Sequence, residues 1–334
     1  HIETGLANGI SLLHNANEGG TPLVLSAGNL DIRELARGRT ELAEMVRFFT
    51  KFTAEATHPE QVPGLVRRAF NEAKTPPTGP TFVSFSANAL DDEGEMDIYP
   101  SPTGYFKIPP DRKAIEDAAD ILGSADNPIM VVGDRVAQSG ATAEAVSVAE
   151  SLGAPVYASS YSEMNFPTSH DLYLGGIRLG FPEAVGILRD ADVVLAVGKM
   201  NSGYYMFSEP IMRFFNSDAR LVHLDVDSSG VGSYLPTQVG LIADPKIALS
   251  ELGNALEATM SGSAKESAKG RRATIGLQKQ SQRISVAKRL KERWDVKPMS
   301  AERMMAEVAA VLPRDTIIIN DAVTSTTALL DAME

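Results

Sequence analysis

Two hydrophobic signatures alternate along the chain: short runs rich in β-branched residues, and longer stretches whose apolar residues recur every three or four positions. The stretch 127–160 shows both in their simplest form. Ile129 to Val132 is an apolar run bounded by Pro128 and Gly133, the pattern of a strand buried on both faces. Ala145, Val148, Ala149 and Leu152 then form one helical stripe, with Ser139 predicted to cap that helix and Gly153 to end it. Pro155 opens a second run, Val156 to Ala158. Strand, helix and strand make a βαβ unit, so the sheet is expected to be parallel. Ligands of such sheets collect at the carboxyl ends of strands, which points to Gly133, Asp134 and Arg135, although the Gly-x-Gly-x-x-Gly fingerprint is absent.

The same two patterns extend both ways. Before it, a helix over Gly5 to Asn17, a strand over Leu23 to Ala27, helices around Glu41 to Phe49 and Val62 to Ala73, and a strand over Thr81 to Ser86 make a first α/β unit. The second of those helices is expected to pack through Val62, Leu65, Val66 and Phe70. An acidic, proline-rich stretch, 87–110, reads as a linker. A helix over Arg112 to Leu122 then leads into the βαβ, followed by strands at Asp192 to Val197 and Leu221 to Val226, an edge strand at 241–244 and a closing helix from Lys246 to Thr259. These predict a five- or six-stranded parallel sheet. The fold class is therefore α/β, with doubly wound parallel sheets and helices on both faces. Residues 260–298 carry eleven Lys or Arg against three acids and read as a linker with one surface helix. Pro298 and Ser300 start another helix, and Thr316 to Asn320 reads as a strand.

Composition narrows the function classes. With 43 acidic and 31 basic residues the net charge is −12, which argues against a general nucleic-acid binder. The absence of cysteine removes disulfides, thiolate nucleophiles and Cys-based zinc sites. No apolar run reaches the roughly 18 residues of a membrane span, and no signal peptide is seen, so a cytoplasmic location is expected. The chain opens on His1 and closes soon after one strand, which reads as an internal piece of a longer polypeptide.

Among the five histidines, none has a partner at metal-ligand spacing. His14 and His58 read as surface residues and His223, inside an apolar strand, as a satisfied core histidine. His170 lies in an irregular loop after a parallel strand, Asn165 to Asp171, where ligand-facing groups gather. The run Asn320 to Thr327 places hydroxyls and backbone N–H groups at a helix start, which suits either a phosphate or plain capping.

The order of these pieces is similar to that of a known family. His1-Ile2-Glu3-Thr4-Gly5-Leu6-Ala7-Asn8, then Gly20-Thr21-Pro22, the βαβ, Phe166-Pro167-Thr168-Ser169-His170, and Asn320-Asp321 with Thr324-Ser325-Thr326-Thr327 together resemble the thiamine-diphosphate-dependent 2-oxoacid decarboxylase and acetolactate synthase superfamily, with benzoylformate decarboxylases the nearest likeness. The resemblance implies a three-domain architecture. Residues 1–100 would be the later part of a pyrimidine-binding domain, 111–259 a complete middle domain, 260–298 a linker and 299–334 the start of a diphosphate-binding domain.

It also implies roles. His1 and His170 would be the catalytic histidines that move protons and meet the substrate carboxylate. Asn8, Asn320, Asp321, Thr324, Ser325 and Thr326 would contact thiamine diphosphate, while the activating glutamate would lie upstream of His1 and the Mg²⁺ ligands downstream of Glu334. The segment Val197 to Asn201 lacks the Arg of flavin-carrying relatives, which disfavours FAD. Three functions follow: non-oxidative decarboxylation of a small-molecule 2-oxoacid, acetolactate-type carboligation, or a non-catalytic nucleotide-binding module. A homodimer or homotetramer is expected, because the family's cofactor lies between chains.

Overall fold

In the computed structural model, residues 1, 35, 37, 102–106, 160–162, 179–181, 201–217, 234, 314, 323 and 334 are left undescribed, and all others are described. The chain divides into two compact units: 1–109 with 226–228, and 110–225 with 229–334.

The first unit opens with α1 (Ile2–Gly19), β1 (Val24–Asn29), α2 (Leu42–Val46), β2 (Phe52–Ala56), α3 (Val62–Lys74), β3 (Thr81–Ser86) and α4 (Ala87–Asp91). Its three strands are parallel in the order β1-β3-β2. Phe82, with no exposed surface, is the centre of a core that takes Leu6 and Leu13 from α1 and Leu42 and Val46 from α2. The packing face of α3 differs from the expected one. Ala69 and Ala73 are its buried residues and Phe70 is 46% exposed, because small side chains let the helix lie close to the sheet.

The second unit contains α5 (Arg112–Gly123), β4 (Pro128–Val132), α6 (Arg135–Ser139), α7 (Thr142–Leu152), β5 (Val156–Ala158), β6 (Tyr173–Gly176), α8 (Pro182–Leu188), β7 (Val193–Val197), β8 (Arg220–Asp225), β9 (Val239–Ile242), α9 (Pro245–Thr259), α10 (Gly262–Arg293), α11 (Ala301–Val311) and α12 (Thr326–Ala332). Six strands run parallel in the order β6-β5-β4-β7-β8-β9, so the expected sheet is present and its direction of winding reverses between β4 and β7. Every residue of β4 and β7 is buried, as a parallel sheet covered on both faces requires. Ser139 does not cap α7. It closes α6 by donating to the carbonyls of Arg135 and Val136, and Gly140 in the left-handed region separates the two helices.

Two stretches depart from the sequence reading. The surface helix expected within 260–298 is one long helix, 262–293, and it is docked on the sheet unit. Its basic residues are its anchors: Arg271 donates to the Leu152 carbonyl (2.6 Å), Arg272 pairs with Glu150 (2.6 Å), Lys279 donates to the Thr168 carbonyl (3.0 Å) and Arg283 meets Asp171 (3.3 Å). Ala268 and Ile275 bury the apolar part of that contact. Thr316 to Asn320 forms no strand; Ile317 and Ile319 are 89% and 91% exposed, since among the described residues no neighbouring strand pairs with them. Among the described residues, no helix is long and apolar enough to cross a membrane.

Candidate functional site

In the first unit, a cavity of about 560 Å³ lies between the start of α1, through Ile2, Gly5, Leu6 and Gly9, and β1, through Leu25 to Asn29. Its size falls within the range of small-molecule sites. Glycines make the space. Gly5 and Gly9 share one helix face, and a Cβ built on Gly28 would meet nothing within 4 Å. At the rim Asn29, 5% exposed, donates to the Thr40 carbonyl (3.0 Å) and to Glu55 Oε1 (2.7 Å). Arg39 donates to the same Glu55 oxygen at 2.5 Å. The Thr40 hydroxyl donates to Glu3 at 2.6 Å, and that bond holds the Glu3 carboxyl below its ordinary range. His1 lies outside the described residues. Asn8 is exposed and does not line the cavity; its carbonyl accepts from Ser11.

In the second unit, the strand ends around the β4/β7 reversal are held closely. A Cβ on Gly133 would approach the Lys199 carbonyl oxygen to 2.9 Å, and Gly198, at φ +88°, leaves only 3.0 Å between such an atom and Arg135 Cβ. Arg135 is buried, 3.5 Å from Asp225, and donates to Gln138 at 2.8 Å. His223, 4% exposed, donates from Nε2 to the Gly198 carbonyl at 3.0 Å, the satisfied core role expected for it. Beside them Asp134 accepts from the Glu163 N–H and from Asn165 (3.0 and 3.1 Å). Desolvation first, and the Asp134 charge second, push the Glu163 carboxyl up.

His170 stands at the other end of the sheet from the expected one. Ser159, just after β5, lies at the carboxyl edge, where its N–H donates to the Val132 carbonyl, whereas Leu172, just before β6, lies at the amino edge, where its carbonyl accepts the Val156 N–H. There the Leu172 N–H donates to His170 Nδ1 (3.2 Å), so Nε2 carries the proton and faces Glu150 at 3.6 Å. Phe166 meets the ring edge-on at 5.3 Å. The group is embedded in the contact between this loop, α7 and α10.

Among the described residues of 320–326, Asn320, Asp321, Ala322 and Thr324 are exposed and Ser325 and Thr326 half-buried, with hydrogen bonds made within the segment. The Ala322 N–H donates to the Asn320 side chain (3.0 Å), Asn320 donates to the Thr326 hydroxyl (3.4 Å), and that hydroxyl donates to the Ala322 carbonyl. Asp321 and Thr324 are exposed, and Ser325 caps nothing with its side chain. Among the described residues, no hydrogen bond or ion pair joins this turn to His170, and no group of three or more His, Asp or Glu could hold a metal ion. Sequence reasoning missed Asn29, Thr40 and Glu55, whose only signal is the position of Asn29 and Glu55 near the ends of parallel strands.

Comparison with known proteins bears out the resemblance read from the sequence. Residues 115–252 match the family profile described as the central domain of thiamine pyrophosphate enzymes. The sulfoacetaldehyde acetyltransferase of Castellaniella defragrans is 27% identical over 257 residues, covering 76% of this chain and 43% of its own length. A probable acetolactate synthase large subunit of Methanocaldococcus jannaschii is 25% identical over 265 residues, covering 75% of this chain and 44% of that protein. The chain thus spans less than half the length of either relative. In fold, it superposes on the benzoylformate decarboxylase of Polynucleobacter necessarius with a TM-score of 0.78 at 21% identity, covering 99% of this chain and 59% of the other.

Proposed function

We propose, from a central domain that matches the thiamine pyrophosphate enzymes, that the protein carrying this chain is a thiamine-diphosphate-dependent lyase. It would decarboxylate a benzoylformate-like 2-oxoacid non-oxidatively to an aldehyde and CO₂, as a cytoplasmic homodimer or homotetramer. The family match over 115–252 is the observation that carries this reading. Thiamine diphosphate, when bound, supplies the electron sink that loss of CO₂ from a 2-oxoacid requires.

What this chain would contribute can be derived residue by residue. The glycine-lined cavity beside β1 has room for a flat heteroaromatic ring, and nothing would obstruct it at Gly28. His1, next in sequence to the cavity residue Ile2, is the imidazole we assign to proton transfer, because imidazole is the side-chain class suited to exchanging protons at physiological pH. Asn320, Asp321, Thr324, Ser325 and Thr326 have the donor chemistry for a diphosphate, but Asp321 opposes an anion unless Mg²⁺ intervenes, and we place the ligands of that ion outside the described residues. For His170 the geometry favours a clamp between its loop and α10, and the proton-transfer role is left to mutation.

A second reading, carboligation, is favoured by the names of the relatives, an acetyltransferase and an acetolactate synthase. Products separate the two. With thiamine diphosphate and Mg²⁺, benzoylformate should give benzaldehyde and CO₂, whereas acetolactate from pyruvate with no aldehyde released would establish the carboligase.

A further inference from the structure

The two walls of the α1/β1 cavity are tied together by a chain of polar groups. Asn29 ends β1, and its side chain is saturated: both amide protons are used, on Thr40 and Glu55, while its carbonyl accepts the Leu30 N–H at 2.9 Å. It cannot rotate without breaking all three bonds. Glu55, at the end of β2, takes Asn29 and Arg39 on one oxygen, and such charge-assisted bonds are roughly twice as strong as neutral ones. Thr40 completes the chain, its carbonyl bound to β1 and its hydroxyl bound to Glu3 in the first turn of α1. Arg39 and Glu55 are 19% and 15% exposed at the side chain, so neither is a freely solvated charge.

We propose that Asn29 and Glu55 are positioning residues, which hold the first turn of α1 at a fixed distance from the carboxyl end of β1 and so keep the cavity preformed for its ligand. Only the identity of that ligand rests on the thiamine-diphosphate reading. A preformed wall spares the ligand the ordering of a helix turn when it binds. The network also links three segments far apart in sequence, so a change at β2 is felt at α1.

The decisive perturbation is N29D, which keeps the shape and sets a carboxylate against Glu55. Hydrogen exchange of the α1 amides from Leu6 to Ile10, which bond back to the first turn, and of Leu30 should rise about tenfold, the loss of roughly one net hydrogen bond, while α3 amides stay unchanged. N29D/E55Q should return exchange towards wild type, because the glutamine can donate to the introduced carboxylate. T40V, which deletes only the link to Glu3, should loosen α1 and leave Leu30 protected, and it serves if N29D fails to fold. In the protein carrying this chain, N29D should also weaken thiamine diphosphate about tenfold with kcat at saturation unchanged. A wild type that binds no thiamine diphosphate would remove the proposed ligand and leave the exchange test standing. Exchange in α1 that is unmoved by both N29D and T40V, or that rises equally in α3, would overturn the positioning role.

Discussion

Gly153 ends α7 in the left-handed region at φ +58°, and the backbone of α10 crosses directly over it. A Cβ there would lie 2.8 Å from the carbonyl carbon and 2.9 Å from the Cα of Ala268, both backbone atoms that cannot swing aside. G153A therefore carries two penalties. Left-handed backbone costs a side-chain-bearing residue about 1–2 kcal/mol, and forcing atoms into a packed contact costs about 1–3 kcal/mol more. Gly140 separates them, since it has φ +66° and a methyl group placed on its Cα would meet nothing within 4 Å. G140A should lose only the first amount in urea denaturation, and G153A about 2–5 kcal/mol. Amide exchange should then show α10 loosened around Ala268 and Ile275 in G153A alone. Equal losses in the two variants, with α10 still protected in both, would refute the docking of this helix through Gly153.

D225A would leave the Arg135 charge buried without its carboxylate and should destabilise the second unit by about 3–5 kcal/mol, read by urea denaturation; a loss under about 1 kcal/mol would show that the pair is solvated. E163Q should stabilise the protein at pH 7. The folded carboxyl is raised above its ordinary value of 4.5, so the unfolded state ionises first and stability falls as pH rises from that value through the folded one. The gain should vanish below pH 4.5 in parallel melts, and its persistence there would assign it to another cause. H170A should loosen the loop 165–173 and the middle of α10 by exchange while turnover changes less than about tenfold; a fall of about 10² in kcat at unchanged melting temperature would instead restore the general acid–base role.

The sheets were legible wherever burial on both faces wrote continuous apolar runs, as at Ile129 to Val132 and Val193 to Val197. Shorter or mixed strands were not. Phe52 to Ala56 alternates apolar and polar residues over only five positions, and Tyr173 to Gly176 ends in two glycines. A surface helix was legible within 260–298, but its 32-residue length and its docking were not, because arginine and lysine anchor it, with few apolar residues to write a stripe. The placement of His170 failed for a different reason. Ser159 sits at the carboxyl edge of the sheet and Leu172 at its amino edge, and sequence does not say at which height a residue between them lies. Asn29 and Glu55 are 26 residues apart, and the pairing of both β1 and β2 with β3 brings them within hydrogen-bond distance.

Calorimetric titration of thiamine diphosphate with Mg²⁺ into the protein carrying this chain tests the central claim most directly. Saturable binding with a Kd of about 10 μM or tighter, near 7 kcal/mol, is expected, and it should be lost when Mg²⁺ is chelated. No heat of binding up to about 1 mM, near 4 kcal/mol, would contradict that claim.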